Sequence, residues 1–69
     1  MYMFIRNMDD GQVFMDGYSE KEYDQCHTDY MYTWGLVQDM KRLDIKSIYL
    51  LRVFENGRVH IMEGEVFRL

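Results

Sequence analysis

The C-terminal part of the sequence contains more apolar strand than a single helix can cover, and this surplus constrains the fold most strongly. Residues 48–54 are apolar except for one arginine, and a second apolar segment follows at residues 59–62. Between them lies Asn56-Gly57, a strong signal for a tight β-hairpin. A two-residue turn at this point would pair Phe54 with Val59, and alternation along the strands then assigns every side chain to a face.

Neither face of this predicted hairpin is polar. One face carries Ile48, Leu50, Phe54, Val59 and Ile61, and the other carries Tyr49, Leu51, Val53 and Met62 beside His60. Soluble monomers rarely expose an apolar patch of several hundred Å² unless it is an interaction site. We therefore predict that the second face is the interface of a homodimer, formed by Tyr49, Leu51, Val53 and Met62. The alternative is that the N-terminal hairpin folds over this face.

The first half of the chain predicts a hairpin followed by the only helix. Residues 2–6 and 13–15 are apolar and flank a turn that contains Asp10-Gly11. Ser19 and Glu22 have the spacing of a capping box, so the helix is predicted to begin at Glu20 and to run to about Leu43. Apolar residues at spacings of three and four define its buried stripe. They are Tyr23, Cys26, Tyr30, Trp34, Val37 and Met40.

These elements predict an α+β fold, an antiparallel sheet of four or five strands in ββαββ order with one helix packed on one face. The fifth strand would come from residues 66–69. The 69 residues allow one domain, 1–69, and no internal repeat is apparent. A domain this small usually needs a disulfide, a metal or a partner subunit. Cys26 is the single cysteine, which excludes a disulfide within the chain.

The sequence predicts no catalytic site, no metal site and no cofactor. Cys26 and His27 are adjacent, so on a helix their side chains diverge by about 100° and cannot act as nucleophile and base. With His60 they lack the paired short spacings of a zinc site. The five glycines are dispersed, and no phosphate-binding loop is present.

The predicted location is the cytoplasm. A lone thiol, Cys26, fits a reducing compartment. No apolar run approaches the ~18 residues of a membrane span, and the first residues lack the pattern of a signal peptide. We therefore expect no membrane association.

Acidic residues are concentrated in the first 30 positions, where seven carboxylates oppose Arg6 and Lys21 and give a net charge of −5. They are Asp9, Asp10, Asp16, Glu20, Glu22, Asp24 and Asp29. This half would repel nucleic acid directly. Its ordinary interpretation is a solvated surface. The functional interpretation is that the carboxylates imitate phosphates and bind the basic surface of a nucleic-acid-binding protein.

In size, acidity, tyrosine content and mixed hairpin-plus-helix order, the chain resembles small bacteriophage proteins that inhibit host enzymes, including acidic DNA mimics and anti-CRISPR proteins. The resemblance implies a non-catalytic inhibitor that occupies the DNA- or RNA-binding surface of a host protein in the host cytoplasm, with the seven carboxylates as contacts. The alternative hypothesis is a homodimeric regulatory or assembly module that recognises a protein partner through an apolar sheet face.

Overall fold

A computed structural model of the chain describes residues 1–68 as one antiparallel sheet with one helix packed on it. In chain order the elements are β1 (Tyr2–Met8), β2 (Val13–Tyr18), a 3₁₀ turn (Glu20–Glu22), α1 (Tyr23–Gln38), β3 (Ile45–Val53) and β4 (Val59–Val66). The predicted α+β class, with antiparallel strands and one helix, is confirmed. The sheet has four strands.

The order ββαββ describes the chain and not the sheet, in which the strands lie in the order β2-β1-β3-β4. β1 pairs with both β2 and β3, so the first hairpin widens the sheet and does not fold over it. The alternative that this hairpin covers the second face is therefore wrong. Within residues 1–68 there is no fifth strand, because β4 continues through Gly64 to Val66. The amides of Phe67 and Arg68 then donate to the carbonyl of Lys46.

Both hairpins turn through the same three-residue connection. In the second, the Phe54 amide donates to the Arg58 carbonyl at 2.9 Å, and the Gly57 amide donates to the Phe54 carbonyl at 2.9 Å. Gly57 has a φ of +84°, which completes a turn followed by a bulge at glycine. The Asn56 side chain accepts from the Arg58 amide at 3.0 Å and fixes the turn further.

The first hairpin repeats these contacts one by one. The Met8 amide donates to the Gln12 carbonyl at 2.8 Å, and the Gly11 amide donates to the Met8 carbonyl at 3.1 Å. Gly11 has a φ of +92°. The Asp10 carboxylate accepts from the Gln12 amide at 2.9 Å, as Asn56 does in the second hairpin.

The loop of the second hairpin has one residue more than predicted, and the strand register differs from the predicted register for this reason. Val59 pairs with Val53 and Ile61 pairs with Leu51, one position away from the pairing that a two-residue turn would give. Because strand side chains alternate, this slip moves Val59 and Ile61 to the opposite face. The prediction that they share a face with Ile48 and Leu50 is therefore wrong, and they lie on the face that carries Tyr49, Leu51 and Val53.

The two hairpins also correspond in sequence at an offset of 46 residues, a repeat that the sequence analysis missed. Corresponding pairs are Arg6 and Arg52, Gly11 and Gly57, and Val13 and Val59. Phe4 pairs across the sheet with Leu50, its own counterpart, so an approximate two-fold axis passes through this pair normal to the sheet. An irregularity between Leu50 and Leu51 adds one residue to β4, after which Gly64 corresponds to Gly17.

The core lies between α1 and the two central strands. Its buried residues are Tyr2, Phe4, Cys26, Tyr30, Ile45, Ile48 and Leu50. The rings of Phe4 and Tyr30 meet edge to face with centroids 6.1 Å apart. Tyr23, Trp34 and Val37 pack against this core as the helical stripe predicts.

The helix begins at a capping box, as predicted, and ends earlier than predicted. The Ser19 amide donates to the Glu22 carboxylate at 2.8 Å, after which a 3₁₀ turn leads into α1 at Tyr23. At the other end, the Met40 amide donates to the Val37 carbonyl at 3.0 Å and the Lys41 amide to the Leu36 carbonyl at 2.8 Å. This is a Schellman motif, which terminates the helix.

Met40 occupies the left-handed position of that motif, with a φ of +59°, and its side chain is exposed instead of belonging to the buried stripe. A residue with a Cβ is strained in this conformation, whereas glycine is not. Met40→Gly should therefore raise the free energy of unfolding by about 1 kcal/mol in a urea titration. Met40→Ala retains the strain and serves as the control. Equal stability of the two variants would contradict this account of the helix end.

Candidate interaction surface

The sheet face opposite α1 is uncovered, and within residues 1–68 none of its paired strand positions carries a charge. This surface is the open face. It consists of Met3, Ile5 and Asn7 of β1, Val13, Met15 and Gly17 of β2, Ser47, Tyr49, Leu51 and Val53 of β3, and Val59, Ile61, Gly64 and Val66 of β4. Lys46, which has no partner on β1, lies at its rim beside Asn7 and Val13.

Apolar exposure on the open face is greatest on the two outer strands. Val13 and Met15 on β2 are 51% and 61% exposed, and the corresponding Val59 and Ile61 on β4 are 56% and 60% exposed. Side chains of the central strands, such as Leu51, are half-buried by their neighbours. The two outer strands therefore present similar apolar side chains to a similar extent, whereas on the central strands the polar Asn7 corresponds to the apolar Val53.

The ring of Tyr49 lies over Gly64 of the neighbouring strand. A Cβ atom added to Gly64 would lie 2.6 Å from Tyr49 Cδ1, so glycine permits the ring to cover the β4 backbone. The aromatic ring thus replaces the side chain that Gly64 lacks. This contact keeps the centre of the open face apolar.

Charged side chains of the hairpins are held on the helix side of the sheet. The Arg6 guanidinium lies 5.2 Å from the Phe14 ring centroid and 3.5 Å from the Asp16 carboxylate. Its counterpart Arg52 lies 4.8 Å from the ring centroid of Phe54. These contacts bury the long stems of both arginines on that side, which leaves the paired positions of the open face uncharged, with Lys46 at its rim.

Three of the four predicted interface residues lie on the open face. Tyr49, Leu51 and Val53 are neighbours on β3 there. Met62 is different, since it is the extra residue at the β4 irregularity and has no register partner. Sequence reasoning missed the most exposed members of the surface, which are Val13, Met15, Val59 and Ile61. The signal that could have found them is the glycine-ended three-residue loop, which sets the register of each hairpin.

The seven predicted acidic contacts do not form one cluster. Asp9 and Asp10 lie in the loop between β1 and β2, whereas Glu20, Glu22 and Asp24 lie at the start of the helix, beyond the other end of β2. β2 contains six residues, so its ends are about 20 Å apart at ~3.3 Å per residue. Asp16 lies on β2 between these groups, and it lines one surface pocket together with Asp29.

Several of these carboxylates are engaged by groups of the same chain. Asp9 lies 3.5 Å from the Arg68 guanidinium. The amino terminus, 2.8 Å from Glu20, holds the pKa of that carboxyl below its usual value. The Ser19 backbone amide likewise lowers the pKa of Glu22. Asp29 accepts hydrogen bonds from the Tyr18 hydroxyl and from Gln25.

The residues considered for chemistry lie apart. Cys26 is fully buried, and burial raises the pKa of its thiol to about 11, with smaller contributions from Asp29 and Asp16. His27 pairs with Glu63 at 3.1 Å and stacks on a tyrosine. His60 lies on β4 opposite Arg52. In the part of the chain that the structure describes, no three His, Cys, Asp or Glu side chains converge as metal ligands.

Burial of Cys26 gives a direct chemical prediction. A disulfide reagent such as DTNB at pH 8 should label the folded protein at least 100-fold more slowly than the urea-unfolded chain, because attack requires the thiolate and access to it. The Cys26 thiol of the same chain, exposed by unfolding in urea, provides the internal control for its reactivity. Rapid labelling of the folded protein would show that this thiol is accessible and ionised.

Comparison with protein-family models, with curated proteins and with solved structures finds no match to this chain. None of the described helices has the length and apolar character needed to cross a membrane.

Proposed function

We propose that this chain is a non-catalytic protein-binding module and that the open face is its recognition surface. The observation that carries the proposal is the absence of charge from the paired strand positions of that face in residues 1–68, combined with strong exposure of its outer strands. Exposed apolar surface is unfavourable in water and persists in soluble proteins chiefly where a partner covers it. Regulation or assembly through a protein partner fits such a surface.

The size of the surface supports the same proposal. The two longer extents of the molecule are 36 and 22 Å, so a rectangle of about 800 Å² bounds its broad side, which is of the order of the area that one partner contributes to a standard protein interface. A further helix or sheet layer laid on this side would complete the layered architecture typical of stable domains. Tyr49, at the centre of the face, supplies an aromatic side chain of the kind enriched in interface cores.

Inhibition by acidic mimicry is the second candidate. The net charge of −5 over the first 30 residues favours it, since carboxylates steer a protein towards basic surfaces. Its partner would be a nucleic-acid-binding host protein, as the resemblance to phage inhibitors implies. Asp24, which makes no ion pair or hydrogen bond within residues 1–68, and Asp10 at the loop tip are the carboxylates best placed for it. The engagement of Asp9, Glu22 and Asp29 by groups of the same chain favours the open face instead.

The two candidates predict opposite results in one co-purification. The tagged chain would be expressed in its native host, and captured proteins would be quantified for two variants. Leu51→Asp places a charge at the centre of the open face. The matched variant Asp10→Asn, Asp16→Asn, Asp24→Lys removes or reverses three acids, while an asparagine at position 10 can still accept from the Gln12 amide and the cap at Glu22 and the hydrogen bonds of Asp29 are spared.

If the open face recognises the partner, Leu51→Asp should reduce capture at least tenfold because a charge would be buried against apolar groups. The triple variant should bind nearly as well as the unmodified chain, and 0.5 M salt should change capture little. Loss of capture with the triple variant and in salt, but not with Leu51→Asp, would replace this proposal with mimicry. Circular dichroism on each variant checks that it remains folded.

A further inference from the structure

We propose that the occupant of the open face is a second copy of this chain, stacked face to face in a closed two-fold dimer. The inference rests on the proposed function, because it takes the open face to be the binding surface and names its partner. The dimer would have four layers, with the two sheets inside and one helix on each outer side. Packed sheets of this kind lie about 10 Å apart.

The chemistry of the face restricts what can cover it. With no charge at its paired positions in residues 1–68 and with Lys46 at its rim, it offers a charged partner no ion pair across its centre. A charged partner group buried there would remain uncompensated. The occupant must therefore be broad, flat and uncharged. The open face of a second copy has these properties, and it has the same dimensions as the face that it would cover.

The approximate two-fold axis through Phe4 and Leu50 relates the outer strands β2 and β4, so the face presents matching apolar side chains along both of its edges. Val13 corresponds to Val59, and Met15 corresponds structurally to Ile61, because each pairs with the equivalent residue of a central strand. Their exposed fractions agree within each pair, at 51% and 56% and at 61% and 60%. A second copy stacked face to face therefore meets exposed apolar side chains along both edges, and the polar Asn7 and Ser47, which hydrogen-bond to each other at 3.0 Å, lie at one end of the face.

The dimensions of the open face and its presence once on each copy support a dimer and not a larger assembly. Two broad sides, each bounded by a rectangle of about 800 Å², are together of the order of the ~1,600 Å² of a standard specific interface. Each copy has one such face, so isologous pairing uses it completely and stops at two. The charged helix sides remain in water on the outside of the dimer.

Sedimentation of the purified chain between 1 μM and 1 mM tests the proposal, with three lysine variants that add the same charge. Met15→Lys and Ile61→Lys change corresponding positions on the open face, whereas Tyr32→Lys changes an exposed residue of α1, 69% exposed, as the control. A two-fold dimer buries each substitution twice. The dimer dissociation constant should therefore rise roughly 100-fold in both face variants and less than about threefold in Tyr32→Lys.

Methyl NMR on the unmodified chain gives a second readout that does not depend on variants folding. A sample mixed from ¹³C-methyl-methionine chains and unlabelled chains reports contacts between copies only. Contacts are expected from the methyl groups of Met3 and Met15 on the open face. None is expected from Met31 or Met40, which are exposed on α1 and beyond its end.

A monomer at 1 mM overturns the proposal, as does a dimer that persists in both face variants or shows contacts from Met31 and not from Met15. A monomer whose capture of another protein is still abolished by Leu51→Asp removes only the second copy and leaves the proposed function intact. Capture that is insensitive to Leu51→Asp removes the proposed function itself.

Discussion

Two glycine-ended loops determine how this chain distributes its side chains. In each hairpin a three-residue connection ends in a glycine with positive φ, Gly11 or Gly57, and an Asp or Asn side chain caps the following amide. A loop one residue shorter would exchange the two faces of an outer strand. With the observed loops, Val59 and Ile61 lie on the same face as the apolar residues of β3. Glu63, Arg6 and Arg52 lie on the face that the helix covers.

The helix covers less of the sheet than the sheet offers. It packs on β1 and β3 through residues such as Cys26 and Tyr30, and the outer strands contact it through few side chains. On the side of β2 the contact is the Tyr18 hydroxyl with Asp29, and on the side of β4 it is His27 with Glu63. One layer of helix on one sheet leaves the other face bare, and this incompleteness motivates both proposals.

Much of this architecture follows from local sequence signals. The α+β class, the capping box at Ser19 and Glu22 and the central apolar residues of β3 could be predicted, because turn residues and periodicity act over short distances. The spatial order of the strands could not, since pairing of β1 with β3 joins residues nearly 50 positions apart. The helix end at Gln38 was missed because Met40, a non-glycine residue, takes the left-handed position.

Only the centre of the candidate surface was predicted from the sequence. The length of each hairpin loop, which differs by one residue from the prediction for the second hairpin, sets which residues of the outer strands lie on this surface. Asn56-Gly57 is typical of two-residue turns, yet the same dipeptide can also form the last two positions of a three-residue loop. Asp10-Gly11 occupies these positions in the first hairpin. The repeat that relates the hairpins supports the longer loop in both. It was hidden by substitutions such as Met8 to Phe54 and by the extra residue in β4.

The register of the second hairpin is therefore the central claim, and cross-strand NOEs between α-protons and amides in solution test it most directly. The account predicts that Val53 lies opposite Val59 and that Leu51 lies opposite Ile61. Cross-strand NOEs that place Phe54 opposite Val59 and Val53 opposite His60 would contradict it, because Val59 and Ile61 would then lie on the helix side and the open face would lose its most exposed apolar residues on β4.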